Sequence, residues 1–84
     1  MGMINGWREG TIGIPTAGGK YTVCRYWVKQ YGTGSEYGID GGRISKLEIR
    51  IDDKKVCHYD RGWDIKPTCQ EAEKALQILL HEFN

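Results

Sequence analysis

Residues Ile44–Asp52, ISKLEIRID, form the clearest strand in the chain: Leu47, Ile49 and Ile51 point one way, Lys46, Glu48 and Arg50 the other. Side chains leave a strand on opposite faces with a period of two, so this segment demands a sheet with one buried side and one wet side. Such a sheet needs a cover. Residues 68–83 supply it: Ala72, Ala75, Leu76, Leu79, Leu80 and Phe83 recur at helical spacing and form one apolar stripe. The segment Pro67-Thr68-Cys69-Gln70-Glu71 opens that helix, with Thr68 expected as N-cap and Glu71 reaching back to complete a capping box. On that reading, replacing Thr68 with Ala costs about 1 kcal/mol.

The remaining strands follow from the same alternation. Trp7–Ile14 places Ile12 and Ile14 on one face and stops at Pro15-Thr16-Ala17-Gly18-Gly19, where proline lacks a donor and glycine accepts positive φ. Tyr21–Gln30 is rich in aromatic and β-branched residues, with Cys24, Tyr26 and Val28 on one side and Val23, Arg25, Trp27 and Lys29 on the other. Residues 31–43 contain five glycines and read as loop, with a short strand at Tyr37–Ile39. A connection through Asp52-Asp53-Lys54 leads to a strand at Lys55–Asp60, and its length decides which side chains turn inward. A three-residue loop buries Cys57 and Tyr59, whereas a two-residue loop buries Val56 and His58; the first is expected because it buries a tyrosine rather than a histidine. Arg61–Lys66 reads as a connecting loop. The expected fold is therefore α+β: residues 1–84 as a single domain, an antiparallel meander of about four strands with one C-terminal helix packed on one face.

Size and composition limit what this fold can do. A chain of 84 residues buries only roughly 60–65% of the surface its unfolded form exposes, which allows one modest core and no large cofactor cradle. Twelve Lys and Arg balance eleven Asp and Glu for a net charge of +1, so a uniformly basic nucleic-acid clamp and a polyanion mimic are both disfavoured. No apolar run approaches the length needed to span a bilayer. MGMINGWREG lacks the basic-then-apolar order of a secretory leader, and Gly6 stands where a myristoylation site wants Ser or Thr. Three isolated cysteines, Cys24, Cys57 and Cys69, are not a secreted disulfide framework. A cytoplasmic location is expected.

Four chemistries compete for these residues. A zinc site would draw on Cys24, Cys57 and Cys69, with Asp60, Asp64 or a histidine as fourth ligand, but the chain has no C-x-x-C pair and small buried hydrophobes explain the thiols better, so no cofactor is expected. Nucleophilic catalysis through Cys57 and His58 fails because neighbouring strand residues diverge, and acid–base work by Asp60 and Asp64 needs a cleft that is hard to build at this size. No enzymatic role is expected. Nucleic-acid binding would use Arg25, Trp27 and Lys29 beside Lys46 and Arg50 as a stacking-and-phosphate surface, although Glu48 interrupts it. Protein binding fits best. Nine aromatic residues exceed what a small core hides, and Trp, Tyr and Arg dominate interface hot spots. The expected contact residues are Arg25, Trp27, Lys29, Tyr37, Arg43 and Arg50, in a protein that works as a monomer or homodimer.

The segments EYGIDGGRISKL, YDRGWDIKP and the helix ending LLHEFN together resemble a small domain of unknown function from phages, prophages and mobile elements of Gram-positive bacteria. The resemblance spans nearly the whole chain and brings no catalytic motif. It implies the company of anti-CRISPR proteins, which block a CRISPR effector nuclease by binding its protein surface, and so an inhibitor of host defence as the expected role. No contact residue is implied by it.

Overall fold

The computed structural model describes residues 7–84. The leader and acyl-site readings of residues 1–6 lie outside the described residues. Five antiparallel strands run in sequence order as a meander: β1 (Trp7–Pro15), β2 (Tyr21–Gln30), β3 (Ile44–Ile51), β4 (Lys54–Asp60) and β5 (Trp63–Ile65). One helix, α1 (Gln70–Phe83), packs on one face. The α+β expectation holds, with a fifth strand that alternation alone did not reveal. Residues 61–66, expected as loop, contain β5, which pairs with β4 through His58↔Ile65 and Tyr59↔Trp63. Arg61, at positive φ, turns the chain into it.

The core lies between the sheet and two covers. Ile14, Cys24, Val28, Leu47, Ile49, Cys57 and Tyr59 point inward from β1 to β4, and Ala72, Ala75, Leu76 and Leu79 meet them from α1. Tyr26 and Phe83 are half-buried at the margin, their rings 6.1 Å apart. The second cover is the glycine-rich segment between β2 and β3. It forms no strand at Tyr37–Ile39; a 3-10 turn runs over Ile39–Gly41, and Ile39 is driven into the core as its anchor. The phenolic hydroxyl of Tyr59 donates to the carbonyl of Tyr37 at 2.8 Å, fixing this loop to β4. Asn84 closes the other side. Its amide nitrogen donates to the Ile39 carbonyl and its amide oxygen accepts from the backbone N–H of Ile44.

The β3–β4 connection departs from both sequence alternatives. Ile51 pairs with Lys54, so the loop holds two residues, Asp52 and Asp53, both at positive φ as a type I′ turn requires. A two-residue loop should have put His58 inside. A bulge after Ile49 inserts Val56 as an extra residue and restores the register, so Ile49 faces Cys57 and Leu47 faces Tyr59. The inward pair is the expected one, reached by a different turn.

Helix α1 also begins later than expected. Cys69, in extended conformation, occupies the N-cap, and no side chain caps the first turn. Thr68 is instead held by its backbone, whose N–H donates to the Val56 carbonyl at 3.0 Å, while Cys69 packs on the core. The capping box is absent because this tertiary bond sets where the helix starts. Replacing Thr68 with Ala should therefore shift stability by no more than about 0.5 kcal/mol in urea unfolding, since its exposed side chain carries no cap.

Candidate functional site

The helix and loop cover one face of the sheet; the opposite face is open. Strand register places its residues in rows. Arg25 of β2 lies opposite Arg50 of β3, which lies opposite Lys55 of β4. In the next row Glu9, Trp27, Glu48 and His58 stand side by side, and in the third Trp7, Lys29, Lys46 and Asp60. The β1–β2 hairpin extends the face, adding Val23 and Tyr21 at 58% and 69% exposure.

Aromatic rings organise the cations. The guanidinium carbons of Arg25 and Arg50 lie 5.1 and 5.5 Å from the Trp27 ring centre, and the Lys29 ammonium lies 6.0 Å from that of Trp7. Carboxylates hold others: Glu48 takes both Arg50 and Lys55, and Asp60 takes Lys46 at 3.9 Å. His58 Nδ1 meets an Asp64 carboxylate oxygen at 2.8 Å. Such exposed pairs contribute little to stability, ~0–1 kcal/mol each. Their consequence is geometric, because they fix the direction of side chains that would otherwise sweep the solvent. Trp7, Trp27, Lys46, Glu48, Arg50 and His58 are among the residues around a shallow concavity of ≈ 660 Å³.

Of the expected contact residues, Arg25, Trp27, Lys29 and Arg50 come together on this open face. Tyr37 and Arg43 do not. Tyr37 is exposed on the loop that covers the inner side, and Arg43 donates from Nε to the Tyr31 carbonyl where that loop meets β3. Trp7, Tyr21, Val23 and Lys55 share that face although they are not among the six expected contact residues. The alternation of β2 already sets Tyr21 and Val23 on the side of Trp27, and the hairpin signal at Pro15–Gly19 adds Trp7, which pairs with Lys29.

The thiols lie on the inner side. Cys24 and Cys57 are fully buried and Cys69 is partly so. Among the described residues, no group of three or more His, Cys, Asp or Glu side chains is arranged to hold a metal ion. Burial pushes the Cys57 thiol up to about 12, and burial, then Cys69 and Glu71, raise that of Cys24. Raised folded-state values mean that the stability these neutral thiols permit is complete below the ordinary value of 9.0 and is lost as pH climbs through the folded ones. The urea midpoint should hold steady from neutral pH to about 9 and fall above it. A thiol reagent at pH 8 should modify Cys69 first and leave Cys57 untouched until the protein unfolds; rapid native-state labelling of Cys57 would contradict its burial.

This is a small α+β domain with one covered and one open sheet face. The chain belongs to the family described as a domain of unknown function, DUF7678, whose model matches residues 6–84. No curated protein and no solved structure matches it. Among the described residues, no helix is long and apolar enough to cross a membrane.

Proposed function

We propose that this chain is a non-enzymatic protein-interaction module that docks through the open sheet face. One observation carries the reading: two tryptophans with three cations set against their rings sit on the side of the sheet that the chain leaves uncovered, Trp7 at 50% exposure. Tryptophan and arginine concentrate binding energy at interfaces because they desolvate a large area with few rotatable bonds. Holding the cations on rings and carboxylates before binding lowers the entropy lost when the partner arrives. The resemblance to small phage and mobile-element proteins supports a host-defence effector as that partner and inhibition by occlusion as the outcome, in the cytoplasm of the host cell.

A photo-crosslinking residue placed at Thr11, on the open face, and separately at Gln77, on the solvent side of α1, tests the reading in cells. A discrete protein adduct from Thr11 and none from Gln77 is expected. Adducts from Gln77 alone would overturn it, and adducts to nucleic acid from Thr11 would replace it with a nucleic-acid-binding role.

A further inference from the structure

The row Arg25–Arg50–Lys55 is costly as a piece of sheet. Like charges directly opposite each other on neighbouring strands are destabilising. Here three cations stand in consecutive register on β2, β3 and β4, within about 10 Å of one another at a strand spacing of ~4.8 Å. Compensation is incomplete. Arg50 and Lys55 share the single carboxylate of Glu48, and Arg25 makes no ion pair among the described residues, its guanidinium resting only on the Trp27 ring. Nothing in the packing requires this arrangement, because all three side chains project from the uncovered face. A local conflict retained without structural need marks a surface shaped by what it binds.

We infer that this row is an anion-receiving rail for a carboxylate-bearing protein segment, with Trp27 as the apolar floor beside it. The inference rests on the docking role of the open face and adds the chemistry of the partner. The two guanidiniums offer planar forks that match carboxylate oxygens, and Glu48 together with the indole holds Arg50 in place before the partner arrives. The neighbouring rows decide between a protein and a polyphosphate. Glu9 and Glu48 lie one row away, about 7 Å along the strands, between the rail and the next cations, Lys29 and Lys46, which share their row with Asp60. A phosphate chain leaving the rail runs into these carboxylates. An acidic protein segment ends its charge at the rail and lays apolar side chains on Trp27 and Trp7. With a net charge of only +1, the chain also lacks the broad positive field that gathers nucleic acid.

The test is an amide and indole NMR titration of the full chain with a peptide of three glutamates followed by three leucines, and in parallel with an oligothymidylate of equal charge. The peptide is expected to shift the Arg25, Arg50 and Lys55 amides and the Trp27 indole, and the combined Arg25→Gln and Arg50→Gln variant to weaken it by roughly tenfold or more. The same change at Lys20, outside the rail, should have no effect, and an unchanged far-UV spectrum shows that the double variant is folded. Peptide shifts confined to other surfaces, no binding, or tighter binding of the oligothymidylate would each overturn the rail. Such a failure leaves the crosslinking result at Thr11 standing, so the rail and the docking face fall separately.

Discussion

Replacing Leu79 with Ala is expected to lower the unfolding free energy by about 3 kcal/mol, within the 2–5 kcal/mol range of buried leucine truncations. Leu79 is 1% exposed, on the face of α1 that meets the sheet. The helix is the principal cover of the inner side, and small domains hold only ~5–15 kcal/mol in total. At ~4–8 °C per kcal/mol for a domain of this size, the melting midpoint should drop by more than about 10 °C. Ile78, the preceding residue, is the internal control: it is 46% exposed, and its alanine variant should stay within about 0.5 kcal/mol. Urea unfolding with an unchanged slope separates lost stability from a changed unfolded state. Equal effects at the two positions would mean that α1 does not face the sheet as described.

The second large effect is expected at Gly38. A β-carbon there would fall on the carbonyl oxygen of Gly42, a backbone atom with no freedom to step aside. That same oxygen accepts from Ser35 N–H, and the Gly42 N–H donates to Ile39, so the crossing is braced on both sides. Replacing Gly38 with Ala must open the loop or shift Ile39 from the core, at a cost of about 1–3 kcal/mol or more. Gly32, in the same loop, has open space around its missing β-carbon and an ordinary φ, so its alanine variant should be close to neutral. Amide exchange reads the distinction directly. Gly38→Ala should speed exchange at Gly42 and Ile44 and leave α1 protected, as expected if the loop is a separate lid over β4.

How far the fold can be read from residues depends on how many of them share each constraint. The faces of β2 and β3 and the stripe of α1 were legible because several side chains in each repeat the same period. β5 has only three residues, too few for an alternation, and its pairing with β4 depends on tertiary proximity. The β3–β4 register turned on one extra residue, Val56, and a bulge leaves no mark in the pattern. The start of α1 was misplaced because the backbone of Thr68 bonds to β4, a long-range contact that overrides local capping preference. The lid was missed for a similar reason: its one apolar anchor, Ile39, stands alone among glycines and polar residues. For the candidate site, the side of the sheet and the neighbours that β3 brings to β2, Lys46, Glu48 and Arg50, were readable, and the pairing of β1 and β4 with them was not. Tyr37 and Arg43 were drawn in by residue type, whereas Trp7 and Lys55 arrive through strand pairing.

The two faces of the sheet divide the work, one for stability and one for binding. The most direct measurement sets the melting midpoint of the Trp27→Ala, Arg25→Ala double variant beside its yield of the protein adduct formed through Thr11. The midpoint is expected within a few degrees of the parent, and the adduct to fall by roughly thirtyfold, the factor that corresponds to a hot-spot contribution of ~2 kcal/mol. A midpoint that collapses as it does for Leu79→Ala, or a variant that still forms the adduct at the parent's yield, would contradict that division.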